Sequence, residues 1–327
     1  MDGKQMPLPI TGTFIDEVTH DIPAHNWGRT EWEQEFDTFV GAGMDTVILI
    51  RAGWGDRLSF PSAAVASRVA TLPVYADMPE LFLQLADKRG LAFYFGLYDS
   101  GYYWHRHDWR TEVELNHEFA REVWERYGAH PSFRGWYLPH ETATTSLRIM
   151  DINAALAEHV RSVADLPVLI SPYWHGRVEG EGSDQLGRTA ALSAAEHAGQ
   201  WDEIFSRLSG LVSYCAFQDG TAYEADLPDF WQAANETAGR NGIELWANVE
   251  TFDRDMPIDF PPIEWRKLVN KLQAAEPHVS KAITFEFSHF LSPNSMWPSA
   301  RTLYDRYQEY RSGNIHTLSQ QAAAPSL

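Results

Sequence analysis

The chain has 327 residues, with 45 acidic against 26 basic side chains and a formal net charge of −19. That charge excludes a polyanionic partner such as nucleic acid, because such affinity rests on Lys and Arg neutralising phosphates. A single cysteine, Cys215 inside an apolar run, excludes an internal disulfide, and the sequence has no 18-residue apolar run that would span a membrane. Residues Met1 to Ile10 lack the apolar stretch of a secretory leader, so the expected location is cytoplasmic.

Eight short β-type runs occur in succession, each trailed by a helical pattern. The first run is Gly12–Asp16, and a helix is predicted over Thr30–Val40, with Thr30 and Glu33 reading as a capping box. Thr46–Arg51 is continuous and β-branched, the mark of a strand buried on both faces. Its helix is expected over Met78–Lys88, with Asp77 as cap and Gly90 as stop. The third run is Leu91–Tyr98, with a helix over Glu112–Tyr127. The fourth is Arg134–Pro139, with a helix near Leu147–Ala164. The fifth is Pro167–Ser171, with a long loop and then a helix within Ala190–Leu208. The sixth is Leu211–Phe217, with a helix near Pro228–Arg240. The seventh is Ile243–Val249, with a helix near Ile263–Ala275. The eighth is Lys281–Phe287, with a closing helix near Ser299–Arg311.

Strict alternation of buried strands and helices implies a parallel sheet, and eight units is the number that closes a (β/α)8 TIM barrel in a single domain. The expected boundaries are an N-terminal extension at 1–9, the barrel at 10–312 and a flexible tail at 313–327. In such a barrel the site lies where the strands end. The candidate residues at the strand ends are Asp16 and Glu17 on the first, Arg51 and Trp54 on the second, and Tyr98 and Trp104 on the third. The fourth carries His140 and Glu141, the fifth Tyr173, Trp174 and His175, and the sixth Gln218 and Asp219. The seventh carries Asn248 and Glu250, and the eighth Glu286 and His289. Thirteen tryptophans are many for this length, and sugar rings stack their C–H faces on aromatic side chains. Trp136 and Trp246, inside strands, read as core.

Two glutamates end strands on opposite sides of the barrel, Glu141 after the fourth and Glu250 after the seventh. Glycosidic bond cleavage needs two carboxylates flanking one bond, one to protonate the leaving oxygen and one to attack or to activate water. This pattern resembles the retaining glycoside-hydrolase clan of barrels. That resemblance implies Glu141 as acid/base and Glu250 as nucleophile. The chain carries His140 where the clan usually has the Asn that contacts the sugar's 2-hydroxyl.

Longer strings resemble a bacterial family of glycoside-hydrolase-like barrels known as domain of unknown function 4434. They are Gly12-Thr-Phe-Ile-Asp-Glu17, His20-Asp-Ile-Pro23, Asn26-Trp27, Asp45-Thr-Val-Ile-Leu-Ile-Arg51, Gly135-Trp-Tyr-Leu-Pro139, Ala216-Phe-Gln-Asp-Gly220, Phe252-Asp-Arg-Asp-Met-Pro257 and Ala282-Ile-Thr-Phe-Glu-Phe-Ser-His-Phe290. The expectation is therefore a glycoside hydrolase acting on a carbohydrate, with no cofactor and no metal. Two alternatives stand beside it. One is a metal-dependent hydrolase or isomerase using His105 and His107, and the other a carbohydrate-binding barrel without catalysis.

Overall fold

The computed structural model describes residues 8–19, 26–143, 148–177, 191–254 and 260–313. Residues 1–7 of the expected extension and 314–327 of the expected tail lie outside these. So do the motif at 20–23, most of the loop at 175–188 and the end of the Phe252–Pro257 string.

Eight strands form the barrel: β1 Ile10–Ile15, β2 Thr46–Leu49, β3 Ala92–Gly96, β4 Phe133–Leu138, β5 Val168–Ile170, β6 Tyr214–Gln218, β7 Glu244–Asn248 and β8 Lys281–Thr284. Each pairs in parallel with its neighbour in chain order, and β1 pairs with β8 through Gly12 opposite Ile283 and Thr13 opposite Thr284. The sheet is closed, as the alternation of elements predicts.

Strand alternation sorts the side chains into two sets. One residue from each strand points inward: Phe14, Ile48, Tyr94, Tyr137, Leu169, Ala216, Trp246 and Ile283 form a buried cluster of their own. Their neighbours, such as Ile15, Leu49, Phe95, Trp136, Ile170 and Phe217, face outward into the larger core beneath the helices. Both faces are therefore apolar, which is why the strands read as unbroken hydrophobic runs. Trp136 and Trp246 are buried, and so is the Cys215 thiol.

The covering helices are α1 Arg29–Gly41, α2 Met78–Arg89, α3 Trp109–Tyr127, α4 Ile149–Val163, α5 Ala194–Leu208, α6 Leu227–Arg240, α7 Trp265–Ala275 and α8 Pro298–Arg311. Asp77 caps α2 by accepting from Glu80 N at 3.1 Å, and Gly90 ends it in the left-handed region. The start of α1 differs from expectation. Gly28 is the cap and Thr30 lies inside the first turn. Glu31 reaches back to accept Gly28 N at 2.9 Å, so it takes the part expected of Glu33. The eighth strand also ends earlier than predicted, because Phe287–Phe290 turns into a short helix.

Closure is secured at the seam. Tyr307 on α8 uses its hydroxyl to accept Ile10 N at 2.8 Å and to donate to Ile10 O at 3.2 Å. Glu35 on α1, fully buried, accepts Ser292 Oγ and Asn294 Nδ2, each at 2.8 Å, which ties α1 to the segment after β8. Burial pushes the Glu35 carboxyl up to about 7, against the lowering effect of those hydrogen bonds. Between the ordinary carboxylate value of 4.5 and about 7, the folded protein holds a proton that the unfolded chain has lost. Stability from this group is thus complete below 4.5, falls as pH rises through that window, and stays low above it. Glu35→Gln carries no such loss. It is expected to gain roughly 2–3 kcal/mol relative to the unsubstituted protein on going from pH 5 to pH 8. Urea unfolding at both pH values measures this, and an equal difference at the two would show that Glu35 is ionised throughout.

Candidate active site

At the C-terminal ends of the strands lies a cavity of about 510 Å³. Its wall is set by the phase of the barrel interior. Continuing each strand by two residues from its inward side chain leads from Phe14 to Asp16, from Ile48 to Ile50, from Ala216 to Gln218 and from Ile283 to Phe285. Continuing by four leads from Tyr137 to Glu141, from Leu169 to Tyr173 and from Trp246 to Glu250, with Asn248 between the last two. All of these line the cavity. Arg51, Trp54 and Trp104 also line it, with His105 beside them.

The odd members of the adjacent pairs turn away. Glu17, His140, Trp174 and Asp219 are outside the lining, as are Tyr98, His175, Glu286 and His289. Trp174 is buried against Phe217, with ring centroids 4.0 Å apart, and against Trp231. It belongs to the core between barrel and helices rather than to the cleft expected of it. Tyr98 is buried and donates to Gly55 O at 2.7 Å. His175 is buried at the end of the fifth unit. Glu286 faces His289, and both are buried. Glu17 lies beside Asp16, and burial, with the Asp16 charge second, pushes its carboxyl up to about 8.

Glu250 is almost fully buried and held from three sides. Arg254 donates to both carboxylate oxygens, Nε to Oε2 at 3.2 Å and Nη2 to Oε1 at 3.0 Å. Asp219 accepts the Glu250 N–H at 3.0 Å. Lys271 on α7 donates to Asp219 at 2.7 Å and to Glu250 O at 3.2 Å. Behind the carboxylate sits Gly220, where any Cβ would fall on Glu250 Oε2 and crowd Arg254. Burial pushes the Asp219 carboxyl up to about 6, with Lys271 opposing and the Glu250 charge adding to the rise.

Glu141 is less deeply buried than Glu250. Its side chain is 24% exposed, Tyr137 donates to Oε1 at 3.0 Å, and Arg51 stands 3.9 Å away, shared with Asp99 at 3.8 Å. Burial lowers and the Glu141, Asp99 and Asp16 charges raise the Arg51 guanidinium, with a net rise. Asp99 also accepts Trp104 Nε1 at 2.9 Å and Gly101 N at 2.8 Å, fixing the loop that carries Trp104. His140, next to Glu141, points the other way and binds Glu112 of α3 at 2.9 Å, both side chains fully buried. Burial opposes charge on His140, but the Glu112 hydrogen bond and charge raise it overall.

Asp99, Glu112 and His140 bring one atom each within 4.8 Å of one another, the geometry of a small metal cluster. The two carboxylates are already engaged: Glu112 accepts Ser100 N at 3.1 Å and Ser100 Oγ as well as His140 Nε2, and Asp99 accepts Trp104 Nε1 and Gly101 N. Arg51 adds a cation to the same place. The group therefore reads as a hydrogen-bonded charge network. His105 and His107, whose spacing suggested ligands, are not part of it; His107 is exposed at the end of the short helical turn Trp104–Arg106.

Sequence reading missed Tyr137, Lys271 and Glu112. A signal existed for two of them. Lys271 falls in the buried stripe of α7 with Leu268, Leu272 and Ala275, and Glu112 in that of α3 with Leu115, Asn116 and Phe119. A charged residue on an apolar stripe needs a buried partner.

The family pattern described as domain of unknown function DUF4434 matches residues 10–297. The chain belongs to that family. A crystal structure described as a putative alpha-L-fucosidase from Bacteroides thetaiotaomicron VPI-5482 is 41% identical, covers 94% of this chain and 95% of its own, and superposes with a TM-score of 0.88. More distant likenesses share the fold. A family 1 β-glucosidase from Thermotoga maritima is 9% identical, with 95% and 100% of the two chains covered and a TM-score of 0.56. An endo-1,4-β-D-mannanase from Thermotoga petrophila RKU-1 is 8% identical, with 92% and 99% covered and a TM-score of 0.55. Among proteins of curated function, none matches. The architecture is thus a glycoside-hydrolase-like TIM barrel. Among the described residues no helix is long and apolar enough to cross a membrane.

Lys271→Met leaves the Asp219 carboxyl buried without its cation. The expected cost is roughly 3–5 kcal/mol of stability, with part of it recovered in Lys271→Met/Asp219→Asn. Denaturant unfolding of the two variants tests the coupling, and a single-variant cost below about 1 kcal/mol would refute it.

Proposed function

We propose that the protein is a retaining glycoside hydrolase, with Glu250 as nucleophile and Glu141 as acid/base. The observation that carries this reading is the meeting of two carboxylates from strands β4 and β7 in one cavity floored by Phe14, Ile50 and Phe285. Their settings differ in the direction the two roles require. Charge-assisted hydrogen bonds from Arg254 engage both oxygens of Glu250 as acceptors, the form needed for attack on an anomeric carbon. Glu141 accepts a neutral hydrogen bond from Tyr137, stands 3.9 Å from Arg51, and at 24% exposure is open enough to exchange protons.

In the first step Glu250 bonds to the anomeric carbon as the glycosidic C–O bond breaks, and the Glu141 proton passes to the departing oxygen. In the second step water attacks that carbon, Glu141 takes the water's proton, and Glu250 leaves with its electron pair. Asp16, whose Oδ2 has no partner, lines the same cavity and can accept a sugar hydroxyl. Asn248 is steadied by donating to Ser171 Oγ at 3.0 Å and supplies a carbonyl to the same end. The 41% identical structure puts 4-nitrophenyl α-L-fucopyranoside first in a panel of aryl glycosides.

Glu250→Ala is expected to abolish turnover, with azide restoring it as a glycosyl azide of inverted configuration. Glu141→Ala should lose roughly 10²–10⁴-fold on substrates with poor leaving groups and far less on dinitrophenyl glycosides, which need no protonation. Proton NMR of the first-formed sugar gives the stereochemistry, and an inverted product would rule out the nucleophile assignment.

Gly220→Ala is a separate check on placement. Its methyl would displace the Glu250 carboxylate, and kcat is expected to fall about 100-fold with the fold intact by circular dichroism. Unchanged kcat would mean that the position of Glu250 is not critical.

A further inference from the structure

A second cavity, of about 450 Å³, adjoins the first across Trp54 and Gly101, which line both. Its remaining walls are Gly55, Asp56, Arg57 and Ser100. The residues between the two cavities are firmly placed. Gly53–Trp54 pairs with Arg57–Leu58 on one side and with Tyr98–Asp99 on the other, a small sheet standing on the barrel rim. The Tyr98 hydroxyl bonds to Gly55 O at 2.7 Å, and Asp99 accepts Gly101 N at 2.8 Å. Gly101 has φ of 60°, and a Cβ there would lie 3.1 Å from the Trp54 Nε1 and 3.4 Å from Cε2. Glycine thus permits the left-handed turn and lets the loop pass close to the indole where the cavities meet.

We infer that the second cavity is an extension subsite that takes the next ring of an oligosaccharide. This rests on the glycosidase reading of the first cavity. A pyranose ring is apolar on its C–H face and polar at its edge. The second cavity offers the matching pair: an indole shared with the first site, flanked by an exposed carboxylate acceptor from Asp56 and an exposed guanidinium donor from Arg57. Its volume lies in the range of ligand pockets. Because Trp54 sits on paired strands rather than on a free loop, it can hold a ring in one place without a large ordering cost. The substrate class is therefore a glycan of two or more sugars, with the cleaved bond near Glu141 and Glu250 and the neighbouring ring over Trp54.

The test uses the full chain made inactive by Glu250→Gln, with Glu141→Gln as a second inactive background in case the first fails to fold. Each is applied to an array of mono-, di- and trisaccharide glycans. A disaccharide or trisaccharide is expected to be held roughly tenfold more tightly than its matching monosaccharide. Trp54→Ala or Arg57→Ala in the same background should shrink that gap to about twofold. Equal binding of short and long glycans, or a gap that survives both substitutions, overturns the subsite. No glycan binding alongside turnover of aryl monoglycosides by the unsubstituted protein also overturns it, and leaves the glycosidase reading standing. Binding of longer glycans without turnover of any glycoside does the reverse.

Discussion

The pleat of eight paired strands is the constraint on which the rest of the molecule depends. Once β1 bonds to β8, every strand has an inside and an outside, and successive residues take them in turn. Phe14, Tyr137, Trp246 and Ile283 fill the inside because no water reaches it. The same phase runs on past the last barrel hydrogen bonds. It places Asp16, Glu141, Gln218 and Glu250 around one opening and hides Glu17, His140 and Asp219 behind it. A shift of one residue in any strand would exchange these sets. Which strand-end residues face the opening is in this sense a consequence of closure, and the loops add Trp54, Trp104 and Arg254 to them.

Hiding the second member of each pair has its own chemistry. Asp219, His140 and Glu286 are all buried, and each meets a partner of complementary type: Lys271, Glu112 and His289. Two of these partners come from helices on the outer layer, α7 and α3. Each reaches inward to the strand end that carries a cavity carboxylate close by. Buried charge pairs seldom add net stability, but breaking one is costly, so they fix geometry. Glu250 shows the effect most clearly. Its backbone N–H is bound by Asp219, its carbonyl by Lys271 and its carboxylate by Arg254, which leaves the side chain few alternative positions.

How much of this was legible in the sequence depends on range. Thr46–Arg51 could be read as a doubly buried strand because its pattern is contained in six residues, of which Thr46–Leu49 form β2. Glu141 and Glu250 could be picked out because the strand ends are local features too. Trp104 and Trp174 looked alike, each a few residues past a strand, yet only Trp104 reaches the cavity. The difference lies in partners remote from Trp174 in the chain: Phe217 on β6 and Trp231 on α6 enclose it. Tyr173, one residue earlier and in phase with Leu169, carries the inward position instead. The phase was present in the sequence but could be applied only with each inward residue known. Thr30 failed as a cap for a smaller reason, since the helix begins two residues earlier, with Gly28 as cap and Glu31 accepting the Gly28 N–H.

Charge at the mouth narrows the ligand further. Four carboxylates line the cavity, from Asp16, Asp99, Glu141 and Glu250, against two guanidinium groups, Arg51 and Arg254. Both arginines are already committed: Arg254 to Glu250, and Arg51 between Asp99 and Glu141. An anionic sugar entering here would find no uncommitted cation among the lining residues. It would also displace a guanidinium from a carboxylate in a partly dry site, where such an exchange costs most. On the reading proposed above, a neutral ring would meet no such penalty, because its hydroxyls can donate to Asp16 while its apolar face lies on Phe285. For the glycosidase proposed above, the excess of acid over base in the whole chain, expressed at this one opening, would favour a neutral glycan for the same reason that it disfavours a nucleic acid.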